Sequence, residues 1–302
     1  MLVLILVISS QLRQRVASYS ELPPVCSGDS IRTLILGDSH ARTAINPEYL
    51  NSACSAAQKA EEIEYSYYKL VQAGADFEAL ENVILCVSYF NFLAPVDSEN
   101  EMLKRYHRLL DQDFYLSKKR YHEYTAAIAY RYLMDHKLPK SVPLSLFNEI
   151  IETKIEPQYR GGFELRTGSR IGQIPDLDKA ISRHYYLGNK LRPVSALRIA
   201  YFTKIVEYCQ AHKLRLYVVN TPVHKEYYDQ IPAERLTGYS TVLNRHQDEC
   251  ICLDYGRLRL PDAFFFDYDH LNGEGARVFT GIIREILASN GAEERGKLDF
   301  GK

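Results

Sequence analysis

The sequence predicts an α/β protein, a doubly wound sheet of about five parallel strands with helices on both faces and a helical insertion. Three observations lead there. Short aliphatic runs without polar alternation recur along the chain, the pattern of strands buried on both faces. Segments with helical spacing separate them. One long stretch, about residues 96–190, breaks the alternation with charged, Tyr-rich helical sequence.

The first strand is "RTLIL" (32–36), stopped by Gly37. "ARTAINPEYL" allows a short helix before Pro47, and "NSACSAA" a short second strand and loop. Over 58–73, "QKAEEIEYSYYKLVQA" places Ile63, Tyr67, Leu70 and Val71 at helical spacing, and Gly74 is expected to end that helix. "NVILCVSYF" (82–90) is the most strand-like run in the chain. Beyond the insertion, "SALRIAYFTKIVEYCQAHK" (195–213) is an amphipathic helix with Leu197, Ala200, Tyr201, Ile205 and Tyr208 on one face. "LRLYVVN" (214–220) is the fourth strand, "TPVHKEYYDQI" a loop and helix, and "ECICLDY" (249–255) the last strand. A terminal helix follows over about 275–289.

Composition bounds the function. With 302 residues, 46% of them hydrophobic, the chain can bury a core without disulfides or a structural metal. A formal net charge of −1 gives no general attraction to nucleic acid. The 23 tyrosines, against no tryptophan, suit sugar-like ligands but equally fill half-buried positions. None of the six cysteines forms a C-x-x-C pair, and most read as small core residues. Residues 1–25 open with the apolar run Leu2–Ile8, shorter than the ~20 residues that cross a bilayer. Two readings compete, a strand or helix packing on the domain and, favoured, the remnant of a membrane anchor with a stalk ending at Pro23-Pro24, ahead of an α/β domain over 26–302.

Two segments carry chemistry. "LILGDSHAR" (34–42) runs a strand into Gly37, Asp38, Ser39 and His40; "FFFDYDHLNGEGA" (264–276) leads through Asp267, Asp269 and His270 into the last helix. In a doubly wound sheet the loops at the carboxyl ends of the strands share one rim. Ser39 follows the first strand and His270 the last, so a nucleophile and a base can meet there. A serine hydroxyl needs such a base, and an imidazole can take and return its proton near neutral pH.

Together, "LILGDSHA" and "DYDHLNGEGA" resemble the two end blocks of the SGNH hydrolase superfamily, which includes the GDS-type lipases and esterases. "GDSH" and "DHLN..GA" are similar in particular to SGNH domains of cell-surface polysaccharide O-acetylation proteins. The likeness spans about residues 31–95 and 195–289 and implies a flavodoxin-like sheet. By position it implies Ser39 as nucleophile, His270 as base and Asp267 as the carboxylate orienting that base. Asp269 is the competing carboxylate, with capping of the following turn or helix as its expected role.

The middle blocks depart from the pattern. "NSACSAAQ" has no glycine for the oxyanion hole, leaving backbone N–H groups of Ser55 or Ala56, and "CVSYFNF" offers Ser88 or Asn91 for the family's asparagine. His40, expected to be structural, and His224, after the fourth strand, are the other candidates to line the cleft. Arg42 reads as an exposed helix residue, and His107, His122 and His136 do not share one helix face.

The resemblance implies a serine esterase or acyltransferase working on O-acyl groups, O-acetyl above all, of a carbohydrate. The substrate would be that carbohydrate or another O-acylated small molecule. No cofactor, metal or nucleic-acid partner is expected, and the N-terminus points to the cell envelope and to membrane association. The missing oxyanion donors keep open a binding or assembly protein of a surface-polysaccharide system. A phosphate-binding domain fits less well, because the first turn lacks a glycine-rich cradle.

Overall fold

Five of the aliphatic runs pair into one parallel sheet in the computed structural model, which describes residues 30–94, 162–172 and 177–289. The chain divides into two units, Met1–Glu21 with Ser98–Arg160 and Leu22–Asp97 with Gly161–Lys302, and every described residue lies in the second. The sheet strands are β1 (Thr33–Leu36), β2 (Ala53–Ser55), β3 (Asn82–Cys86), β6 (Arg215–Asn220) and β7 (Ile251–Asp254), in the spatial order β2-β1-β3-β6-β7. A short antiparallel ribbon, β4 (Tyr186–Leu187) and β5 (Lys190–Leu191), lies apart from it. The strand order makes the fold doubly wound and flavodoxin-like, with its switch point between β1 and β3.

The register explains the aliphatic runs. Ile35, Ile84, Tyr217 and Ile251 are partners in one row across the sheet, and Leu36, Leu85, Val218 and Cys252 form a row of opposite facing. All eight are buried, so each strand needs apolar residues on both sides.

The helices are α1 (Ser39–Ala44), α2 (Ile63–Asp76), α3 (Leu177–Tyr185), α4 (Ala196–Ala211), α5 (Lys225–Tyr228), α6 (Ala233–Asn244) and α7 (Gly273–Ala288). α1 and α7 cover the face of Ile35, where Ala41, Ala44 and Ile45 join Phe279, Ile283 and Ile286 in one core. Burying those three α7 side chains contributes about 1.5–3 kcal/mol each. The Asn46 N–H donates to Thr280 Oγ1 at 3.0 Å, worth about 1 kcal/mol. Apolar area therefore holds α7 in place, and the hydrogen bond fixes its register.

Three helix details differ from the sequence reading. α2 begins at Ile63, after a turn in which the Glu61 N–H donates to the Gln58 carbonyl, and it leaves Val71 exposed. Gly74 does not end it; a Cβ there would lie 2.1 Å from the Tyr208 hydroxyl, so the glycine accommodates α4. On α4 the buried face is Arg198, Tyr201, Phe202, Ile205, Val206 and Cys209, rotated from the expected one, and Ala200 is exposed.

The expected insertion lies outside the described residues up to 161. Residues 162–172 instead dress the α/β unit: the Glu164 N–H donates to the Arg42 carbonyl at 2.8 Å and the Arg170 N–H to the Phe266 carbonyl at 2.8 Å. Residues 1–25 also lie outside the description. Among the described residues no helix is long and apolar enough to cross a membrane. Cys86, Cys209, Cys250 and Cys252 are buried free thiols, as small core residues would be, whereas Cys54 is disulfide-bonded.

The turn after β1 is the tightest place in the fold. Gly37 has φ +129°, and a Cβ there would meet the Cys86 carbonyl oxygen at 2.8 Å and Ala41 Cβ at 3.2 Å. Both strain and collision oppose any other residue. Gly37→Ala is expected to cost at least about 2 kcal/mol in urea unfolding. Unchanged stability would show that the turn tolerates a side chain.

Candidate active site

Ser39 is the first residue of α1, and Asp38 before it caps the helix by accepting the His40 N–H at 2.9 Å. Ser39 is half-buried between buried neighbours, on the rim at the β1–β3 switch point. The loop between β7 and α7 brings His270 to the same rim. Its bend is held by Asp267 Oδ1, which accepts the N–H of His270 at 2.9 Å and that of Asp269 at 3.3 Å.

The two chain ends meet. His270 Nε2 lies 2.9 Å from Ser39 Oγ, and His270 Nδ1 lies 2.8 Å from Asp267 Oδ1. A carboxylate only accepts, so Nδ1 carries the proton and Nε2 is free to accept from the serine hydroxyl. Arg166 donates to the other Asp267 oxygen at 3.4 Å, and its guanidinium rests over Phe266, 4.9 Å from the ring centre.

Asp269 does not cap. Asn272 caps α7, accepting the N–H groups of Glu274 and Gly275 at 3.1 Å. Asp269 is instead buried among three imidazoles: His270 Nδ1 at 3.3 Å, His40 Nε2 at 3.7 Å and His184 Nε2 at 3.7 Å. His184, on α3, falls within the stretch read as insertion, and no spacing in the sequence joins it to the other two.

Electrostatics follow from that burial. Burial opposes the charged form of Asp38, yet the His40 charge and hydrogen bonds from His40 and Asn91 win, lowering its pKa to about 2. Burial likewise works against His40, but Asp38 and Asp269 outweigh it and raise the imidazole to about 10. His184 follows burial: despite the pull of Asp269, its pKa falls to about 3. Asp269 is held well below the carboxylate range by its imidazoles, against burial. For His270, burial is again overcome, by the Asp269 charge and the Asp267 hydrogen bond, and the net shift is upward from 6.5.

The remaining candidates are placed as follows. The Ala56 N–H donates to the Ile35 carbonyl at 2.8 Å, so the sheet holds it and it cannot serve as an oxyanion donor. Ser55 is buried at the end of β2, its carbonyl 3.7 Å from where a Gly162 Cβ would sit. The Ser88 N–H donates to Asn91 Oδ1, and Asn91 Nδ2 donates to Asp38 Oδ2 at 3.1 Å, so this pair ties the turn after β3 to the α1 cap. His224 caps α5 through Nδ1 and meets Asp262 Oδ1 at 3.1 Å through Nε2, so both ring nitrogens brace the chain, one at α5 and one in the loop of His270. Arg42 pairs with Glu164 at 3.1 Å.

His40, Asp269 and His270 place one ligand atom each within 4.8 Å. Both nitrogens of His270 already face Ser39 and Asp267, and His40 Nδ1 faces Asp38. The donor set therefore suits proton transfer better than metal coordination.

A protein-family model matches residues 154–291, less than half of the chain. No curated protein matches. Among solved structures the chain is similar to a candidate acylhydrolase from Bacteroides fragilis, at 11% identity and a TM-score of 0.39, over 93% of this chain and 96% of that one. It is also similar to a GDSL-like lipase from Bacteroides thetaiotaomicron, at 8% identity and a TM-score of 0.39, over 93% and 98% of the two chains. Likenesses this remote assign no activity; the chemistry rests on the side chains themselves.

Because folding raises the His40 pKa, its ion pair contributes fully below about pH 6.5 and is lost as the pH climbs through about 10. Urea unfolding of the wild type should lose stability over that interval, and His40→Asn should flatten the slope. Equal slopes would show that folding does not hold a proton on His40.

Proposed function

We propose that the protein is a serine esterase or O-acyltransferase that works through an acyl-enzyme on Ser39. The observation that carries this reading is the unbroken relay from Ser39 Oγ through His270 to Asp267, at 2.9 and 2.8 Å. Ser39 attacks the ester carbonyl while His270 Nε2 takes its proton, and Asp267 stabilises the imidazolium. Negative charge collects on the former carbonyl oxygen. The Ser39 N–H, unbonded among the described residues as the first of a helix, is the donor at hand for it. Collapse of the intermediate breaks the bond to the leaving alcohol, which takes the His270 proton, and leaves the acyl group on Ser39. Water or a sugar hydroxyl then attacks, with His270 again the base.

An O-acetylated carbohydrate is the substrate class the motif resemblance supports. A disulfide at Cys54 supports an oxidising compartment, in keeping with the cell envelope. The oxyanion side supports a second reading, a glycan-binding descendant with little turnover, because Ala56 and Asn91 both direct donors elsewhere. Absence of one preorganised donor can cost ~3 kcal/mol of transition-state stabilisation.

The purified protein should release acetate from p-nitrophenyl acetate and label with a fluorophosphonate, with kcat/KM rising through a midpoint above pH 6.5 as His270 loses its proton. Ser39→Ala should abolish labelling and lower turnover by about 10³-fold or more. Glycan binding that survives Ser39→Ala, with no turnover by the wild type, would favour the second reading.

A further inference from the structure

Behind the serine and its base lies a buried charge cluster that acyl transfer leaves unused. Its members come from separate parts of the fold: Asp38 and His40 at the start of α1, His184 on α3 and Asp269 before α7, with the half-buried Phe90 ring packed against the two imidazoles. The His40 ring lies 4.7 Å from the His270 ring and is tilted from it by only 21°. Its Nδ1 is 3.0 Å from Asp38 Oδ1, and its Nε2 is 3.7 Å from Asp269 Oδ2. Carboxylates only accept, and a neutral imidazole has one N–H. Nδ1 is within hydrogen-bond reach of Asp38, while Nε2, at 3.7 Å, meets Asp269 as a charge and not as a hydrogen bond, and two carboxylates so placed favour the doubly protonated ring.

His184 differs, although it too faces Asp269 Oδ2. Its Nδ1 is 2.6 Å from the Tyr227 hydroxyl, and Phe90 stacks on it at 4.0 Å. Burial keeps it neutral. The groups that face His40 are therefore Asp38 from its own turn, Asp269 and His270 from the loop before α7, the neutral His184 from α3 and the Phe90 ring at 5.4 Å.

We propose that His40 is a positioning residue for the base: as a buried imidazolium it offsets the charge of Asp269 and turns a positive face to His270, limiting how tightly the two carboxylates beside His270 hold a proton on the base that must take the Ser39 proton. The inference rests on the roles given above to Ser39 and His270. Two carboxylates, Asp267 and Asp269, lie beside His270 Nδ1 and favour its protonated form. Left alone they would hold a proton on the base and silence it near neutral pH. His40 opposes them directly, and again by drawing on Asp269.

The test is an NMR titration of the imidazole nitrogens in the full chain, beside pH profiles of kcat/KM. His40→Asn keeps a donor toward Asp38 but removes the charge. The His270 midpoint should then rise by about one pH unit or more, and kcat/KM near pH 6.5 should fall about tenfold, with the alkaline plateau largely kept. Asp38→Asn retains a capping oxygen for α1 and should move the midpoint the same way, because His40 then gives up its proton; it serves if His40→Asn does not fold. A midpoint unmoved or lowered in the folded variants overturns the role of His40. Wild-type turnover by Ser39→Ala would instead overturn the reading of Ser39, and the NMR midpoint separates the two failures.

Discussion

The packing of α1 against α7 is the constraint on which the site depends. One helix begins with Ser39, and the other begins three residues after His270. Ala41, Ala44 and Ile45 meet Phe279, Ile283 and Ile286 on one face of the sheet, and Asn46 bonds Thr280 across 234 positions. With both helices fixed on the same face, the loops that precede them must open on the same rim. The hydrogen bond between Ser39 and His270 is thus a consequence of apolar packing, and it contributes little to holding the ends together.

The turn that presents Ser39 is built by exclusion. Gly37 has no room for a side chain beside the Cys86 carbonyl, and its φ of +129° suits glycine alone. Asp38 then caps α1, pairs with His40 and accepts from Asn91, so one carboxylate serves backbone, charge and the neighbouring loop. His40 follows Ser39 in sequence but is buried, whereas Ser39 is only half-buried. Of two adjacent residues, the strand-to-helix turn offers one to solvent and one to the core.

The fold was largely legible because parallel strands buried on both faces leave unbroken aliphatic runs, and the two end motifs flank such elements. Ser39, His270 and Asp267 could be singled out because the two end motifs carry them, one directly after the first strand and the other in the loop before the last helix. Asp269 was misread because an Asp before a helix suggests a cap, whereas Asn272 takes that place. His184 left no trace: its helix lies in a charged, Tyr-rich stretch, and only tertiary packing brings it to Asp269. Gly74 likewise read as a helix stop, since no local rule records that Tyr208 of another helix needs its space.

The oxyanion side shows how the same packing limits the chemistry. β2 reaches past its last strand residue to bond Ala56 to Ile35, and Asn91 leans on Asp38. Both groups spend their donors on the scaffold. The Asn91 bond strengthens the charge on Asp38, and Asp38 in turn sustains the cation on His40. Asn91 therefore acts, through Asp38 and His40, on the charge beside the His270 ring. Scaffold bonds thus occupy the Ala56 and Asn91 donors, and the Asn91 bond also supports the charge in the pocket behind His270.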